Sequence, residues 1–290
     1  MNEVEVFFRW LRRARRIARA ALVLLSAALA VKALLLVSNQ RRPRRHGQWA
    51  QTAVVRWLVR ELCRTLNLQV RHRGPLPDRT TLLVTNHISW LDIPALLAVV
   101  DADFVAKQDV VRWPVIGDMA THLGTIFLQR GARDAAKVTA DRMTWRLVQR
   151  RNVIVFPEAT TSDGRRVRQF YARLYQAAIR THSCVQAVAI RYPGLDGADG
   201  VAPFIDDDQL VSHVWRLLGE KRIVVELHFC DPVRADADRR SLANLTRRQI
   251  CAALGFEPDA ARALSAKIRF PRQHNARPLA VGARRAHGRG

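Results

Sequence analysis

A histidine and an aspartate five positions apart are the first residues in this chain whose types and spacing could do chemistry. They lie in Asn86-His87-Ile88-Ser89-Trp90-Leu91-Asp92, directly after the apolar run Thr81–Thr85. A carboxylate that holds the imidazole Nδ1–H leaves Nε2 as an open lone pair and stabilises the imidazolium once a proton is taken. Such a dyad can serve as general base on a substrate hydroxyl, an effect of about 10²–10⁴ in rate. Taken alone, the spacing also suits a loop histidine beside a helix-capping aspartate. Ser89 is no nucleophile of the elbow type, because no G-x-S-x-G occurs in the chain.

The dyad needs a strand to end before it and a helix to begin after it. Thr81–Thr85 reads as a buried strand, and Ile93-Pro94 opens a helix. Reactive groups gather at such strand ends in α/β folds. Further candidate strands are Asp103–Lys107, Thr125–Gln129, Val153–Phe156, Val185–Tyr192 and Arg222–Cys230. Candidate helices include Ala132–Arg150, with Ala136, Ala140, Met143 and Leu147 on one face, Phe170–Thr181, and Asp238–Leu254. Short β-branched runs alternating with helices predict an α/β domain with a central sheet flanked by helices.

Charge divides the 290 residues into three parts. Residues 1–73 carry 16 Lys and Arg against 3 Asp and Glu, residues 262–290 carry 8 against none, and the body at 74–261 is close to balanced despite an overall +23. The expected organisation is a basic, membrane-anchoring helical segment (1–73), a catalytic domain (74–261) and a basic, disordered tail (262–290). The apolar stretch Ile17–Val37, interrupted by Arg19 and Lys32, would be about 31 Å long as a helix, close to one hydrocarbon thickness. Basic flanks on both sides (Arg12, Arg13, Arg15 and Arg16; Arg41, Arg42, Arg44 and Arg45) leave a single span, an in-plane helix and a hairpin with the amphipathic segment Trp49–Leu68 all open. The four cysteines form no C-x-x-C pair, which argues against a zinc ribbon or a disulfide scaffold and suits a reducing compartment.

Further blocks follow the dyad: Gly124-Thr125-Ile126-Phe127-Leu128-Gln129-Arg130, then Val153-Ile154-Val155-Phe156-Pro157-Glu158-Ala159-Thr160-Thr161-Ser162-Asp163-Gly164, then the apolar strand Val185–Ile190. With N-H-x4-D in that order, over roughly residues 75–230, the chain resembles the glycerophospholipid acyltransferase family of the 1-acylglycerol-3-phosphate type. The segments Phe104-Val105-Ala106-Lys107 and Pro114-Val115-Ile116-Gly117 also look like that family. The resemblance implies a membrane-associated O-acyltransferase on the cytoplasmic face of the cell membrane. It would move an acyl chain from acyl-CoA or acyl carrier protein to a lysophospholipid hydroxyl, most simply 1-acyl-sn-glycerol-3-phosphate, with no metal or other cofactor. His87 would be the base and Asp92 its partner. Arg130, after Gly124, would grip the acceptor phosphate through two hydrogen bonds. Glu158 would position the acceptor or order the neighbouring groups, and Lys107 would be structural or contact the donor. Backbone N–H groups near His87 or Thr160 would receive the oxyanion.

The third block departs from the family pattern: Ala159 stands for Gly, Thr161 for Arg, and Phe170-Tyr171 for Phe-Lys. Ala159 predicts a backbone without easy access to positive φ. The F-P-E-x-T-T-S-D-G form resembles the branch that acylates lyso-ornithine lipids, which lack a phosphate. Arg165, Arg166, Arg168 and Arg173 could attract the anionic donor. A non-catalytic tethering or nucleic-acid-binding protein is the alternative from another class. The near-neutral body and the lack of a nucleic-acid motif argue against it.

Overall fold

A computed structural model of the chain describes residues 3–38, 45–108, 111, 117, 125–128, 135–194, 200–205 and 207–256. Its sheet is built from the runs with the least polar character. All five residues of β2 (Thr81–Thr85) are buried, as are the last three of β5 (Asn152–Val155) and six in a row of β6 (Cys184–Arg191). Unbroken burial of this kind marks strands covered on both faces. Period-two alternation then sorts neighbouring residues into two layers. Leu83, Ile154, Val188 and Ile190 face one core, while Leu82, Val84, Val153, Val155, Ala187 and Ala189 face the other.

Strand order is β1-β7-β6-β2-β5-β3-β4, with β1 Leu68–Arg73, β3 Ala102–Lys107, β4 Ile126–Leu128 and β7 Ile223–Phe229; β8 (Val233–Arg234) pairs antiparallel with β6. The sheet is parallel from β6 through β2, β5 and β3 to β4, and β7 runs antiparallel to β6. The first core is covered by α2 (Arg45–Leu66), α3 (Asp92–Leu97) and α6 (Leu210–Gly219). The second is covered by α4 (Ala135–Val148), a 3₁₀ turn at Ala172–Tyr175, α5 (Gln176–Thr181) and α7 (Arg239–Leu254). Three parallel strands, β6, β2 and β5, therefore end side by side at one edge.

The expected mixed α/β sheet flanked by helices is observed, with differences that have physical causes. β1 pairs parallel with β7 along its whole length, so the sheet begins ahead of residue 74 and the segment 1–73 supplies a strand as well as helices. Its Arg71, His72 and Arg73 are exposed on an edge strand, which hides the pattern. The helix expected over Phe170–Thr181 starts later. Phe170 is drawn into the second core, and Tyr171 is extended, with its N–H donated to the Pro157 carbonyl at 2.9 Å. Helix α6 was not apparent from sequence.

The 36-residue α1 (Glu3–Ser38) uses its arginines in a way composition did not suggest. Arg16 is buried and donates to the carbonyls of Leu217, Leu218, Glu220 and Lys221 at 2.7–3.3 Å. Arg12 donates to Gly219, and Arg9 pairs with Glu220 at 2.8 Å. Arg13 stacks over Trp215 at 4.4 Å. These guanidiniums satisfy the orphan carbonyls and the negative end of α6. A Cβ at Gly219 would come within 2.8 Å of Arg9, so glycine permits the close approach. Of the flank Arg12, Arg13, Arg15 and Arg16 expected to serve membrane anchoring, Arg12, Arg13 and Arg16 are instead turned to α6 and the residues after it. Among the described residues, no helix is long and apolar enough to cross a membrane. Residues 257–290, and with them the tail expected at 262–290, lie outside the described residues.

Candidate active site

His87 sits where β2 stops, and its Nδ1 lies 2.8 Å from Asp92 Oδ2. The local sequence explains the return of the aspartate. The turn closes through Asp92 N–H to the Ser89 carbonyl (3.1 Å), which puts Asp92 at the start of α3 with its carboxylate beneath the loop. Oδ2 also accepts the N–H groups of Ile88 (2.8 Å) and Ser89 (3.0 Å), and Oδ1 accepts the Tyr192 hydroxyl (2.6 Å). Asp92 is fully buried, whereas the His87 side chain keeps 18% of its surface exposed. A carboxylate partner fixes the proton on Nδ1 and leaves Nε2 as the acceptor. The ring stacks on Phe156, centroids 3.9 Å apart at 24°.

The end of β5 grips the same turn from the other side. Glu158 Oε1 accepts the His87 N–H (3.1 Å) and Oε2 accepts the Arg168 N–H (3.2 Å). Ser162 donates its N–H to the His87 carbonyl (2.8 Å), so the His87 backbone is held at both of its polar atoms. Burial pushes the Glu158 carboxyl up to about 7 from its ordinary 4.5, against the opposing pull of the two backbone donors. Ala159 is left-handed at φ 58°, contrary to the expectation from its side chain. The Thr161 hydroxyl is turned away to the Phe204 carbonyl.

Asn86 bonds both backbone polar groups of Ile190 at 2.8 and 2.9 Å, fixing the turn to β6. Trp90 Nε1 donates to His213 Nδ1 at 2.9 Å. Burial lowers the pKa of His213, which suits its acceptor role as a neutral ring. Ser89 is fully buried, and its hydroxyl has no partner among the described residues, which removes it as a nucleophile.

The structure thus brings His87, Asp92 and Glu158 together, with Thr160 on the same turn as Glu158. Gly124 and Arg130 lie outside the described residues; Lys107 ends β3, and its side chain is likewise outside them. The oxyanion donors expected beside His87 are corrected. The N–H groups of His87, Ile88 and Ser89 are all committed to carboxylates. Asn86, Ser162, Tyr192 and His213 were missed as site residues. Asn86 and Ser162 stand inside the motif blocks, and that position was the available signal. Tyr192 and His213 lie far along the chain, and nothing local marks them.

A histidine–carboxylate pair stands at the C-terminal edge of a parallel sheet, with a second buried carboxylate bracing its turn, and the comparisons with known proteins say which class of protein carries this arrangement. Residues 67–191 match the family described as acyltransferase. The lyso-ornithine lipid O-acyltransferase of Pseudomonas aeruginosa is 36% identical over 83% of this chain and 94% of its own length. The 1-acyl-sn-glycerol-3-phosphate acyltransferase of Neisseria gonorrhoeae is 34% identical over 68% of this chain and 78% of its own. The crystal structure of the 1-acyl-sn-glycerophosphate acyltransferase of Thermotoga maritima shares the fold at a TM-score of 0.58 and 20% identity, covering 89% of this chain and all of that one. The chain belongs to the acyltransferase family and is an O-acyltransferase.

Proposed function

We propose that this enzyme transfers an acyl group from an acyl thioester, acyl-CoA or acyl carrier protein, to the free hydroxyl of a lyso-lipid, with His87 as general base. The observation that carries this reading is the 2.8 Å pair between His87 Nδ1 and the buried Asp92 carboxylate. Nε2 takes the hydroxyl proton as the oxygen attacks the thioester carbonyl. The tetrahedral oxyanion collapses, the C–S bond breaks, and the imidazolium returns the proton to the leaving thiolate. Thr160 N–H is the remaining backbone candidate for the oxyanion. Arg165, Arg166, Arg168 and Arg173 are exposed beside the third block and suit the anionic donor.

For the acceptor we favour a lyso-ornithine lipid. In its support, the Thr161 side chain, where the family has an arginine, is occupied with a backbone carbonyl, and the Pseudomonas relative aligns over nearly its full length. Lysophosphatidate is the second reading, favoured by Arg130 in the second block and by the Neisseria relative. Association with the cytoplasmic face of the cell membrane, through α1 lying in the plane of the surface, is supported by its exposed Phe7, Phe8, Leu11, Leu22, Leu25 and Leu29.

The test offers purified enzyme a labelled acyl thioester with lyso-ornithine lipid and lysophosphatidate in parallel. Lyso-ornithine lipid should be acylated faster, and His87→Ala should lose about 10³ or more in kcat with its circular dichroism unchanged. A His87→Ala protein that still turns over would remove the imidazole as base. Turnover of lysophosphatidate alone would assign the second reading.

A further inference from the structure

The two oxygens of Asp92 are satisfied unequally. Oδ2 takes the imidazole and two backbone donors, while among the described residues Oδ1 takes the Tyr192 hydroxyl alone. Tyr192 follows the last residue of β6, the strand alongside β2, so the parallel pairing that sets His87 at the sheet edge also brings the phenol beneath the aspartate. The hydroxyl is buried. Its donor sense is fixed, because burial and the neighbouring Asp92 charge hold the phenol well above its ordinary pKa. A carboxylate gripped at one oxygen alone can swing about its own axis; gripped at both, it cannot.

We propose that Tyr192 is a positioning residue of the catalytic site, the third member of a relay Tyr192–Asp92–His87. It locks the Asp92 carboxylate in the plane that serves the imidazole and sets how strongly that carboxylate draws on the Nδ1 proton. This rests on the reading of His87 as general base. Removing the phenol hydroxyl leaves Oδ1 bare. The carboxylate then becomes more basic, which favours the imidazolium and also lets the aspartate itself take up a proton. Both consequences move the acidic limb of the pH–rate profile in the same direction, upward.

The experiment measures kcat, KM and the pH dependence of kcat/KM for the whole enzyme, for Tyr192→Phe, and for enzyme carrying 3-fluorotyrosine at position 192. Tyr192→Phe should lower kcat about tenfold, leave both substrate KM values within about twofold, and raise the acidic limb by about half to one pH unit. The fluorinated phenol, a stronger donor that still fits the site, should move that limb the other way. Its use keeps the test decisive even if Tyr192→Phe fails to fold. A tyrosine that merely filled space would leave the profile unchanged in both proteins, and that result overturns the inference. His87→Ala, assayed alongside, separates the two failures: activity in that variant defeats the general-base reading itself, whereas an inactive His87→Ala with unshifted Tyr192 profiles defeats only the role of Tyr192.

Discussion

Two buried carboxylates flank His87, and they are treated differently. Asp92 arrives at the start of a helix and collects four donors: one ring nitrogen, two backbone N–H groups and one phenol. Glu158 arrives at the end of a strand and collects two backbone donors, and burial pushes it up to about 7. The comparison teaches that two carboxylates buried beside one histidine serve different tasks, according to which donors replace the water each has lost. Asp92 is built to stay a hydrogen-bond acceptor towards the imidazole, while Glu158 is built to hold a backbone position and can take up a proton near neutral pH.

The comparison breaks most sharply at Asp92. In Asp92→Asn the neutral amide no longer stabilises the imidazolium that forms when Nε2 takes a proton. Where its NH₂ faces the ring, it also holds the opposite tautomer, with Nε2 protonated and unable to accept. We expect kcat to fall by about 10³–10⁴ with little loss of thioester binding, checked by steady-state kinetics against both substrates. Retention of more than a tenth of the wild-type kcat would show that the two carboxylates are interchangeable supports.

A smaller effect belongs to Glu158→Gln. The His87 N–H keeps an acceptor, but the Arg168 N–H meets an amide NH₂, so one buried donor loses its partner. Because Glu158 acts on the His87 backbone and not on its ring, kcat should fall only about tenfold, measured beside Asp92→Asn under the same conditions. Equal losses in the two variants would erase the distinction.

How much of this was legible in the sequence follows from the same physics. Strands β2, β5 and β6 were readable because each is dominated by apolar, largely β-branched residues, and His87, Asp92 and Glu158 stand at or just beyond strand ends where the chain must turn. β1 was not, because Arg71, His72 and Arg73 line an exposed edge. The arginines of α1 read as charge seeking a surface, yet Arg16 caps a helix some two hundred residues away; nothing local distinguishes a guanidinium committed to carbonyls from one exposed to solvent, such as Arg165. Tyr192 was invisible for a similar reason: its partner is one hundred residues earlier, and only the strand order makes them neighbours. The expectations for Gly124 and Arg130 fall outside the described residues.

Glu158 should also show itself in the pH dependence of stability. Glu158 has a folded-state pKa raised from 4.5 to about 7, so the native state binds its proton more tightly than the unfolded chain does. The stability this group contributes is fully present below about 4.5 and is lost as pH rises through about 7, on the order of 3 kcal/mol across that window. Denaturant unfolding of the wild type and Glu158→Gln at pH 5 and pH 8 isolates it: the wild type should lose stability relative to the variant on going to pH 8. An equal pH response in the two proteins would mean that Glu158 stays ionised throughout.

The smallest expected effect concerns the residue that follows Glu158. Ala159 is held at φ 58°, a conformation that disfavours any Cβ, and its N–H is tied to the Phe156 carbonyl at 3.1 Å. Left-handed geometry costs an alanine about 1–2 kcal/mol, and glycine gives back part of that relief through its larger unfolded-state entropy. Ala159→Gly should therefore stabilise the protein by about 0.5–1 kcal/mol, read as a rise in the denaturation midpoint at unchanged slope. Glu158 is held by its own two backbone donors, so relaxing the turn beside it should leave kcat within about twofold. A large loss of kcat would instead mean that the strain itself holds Glu158 against the histidine, and that its two donors do not suffice.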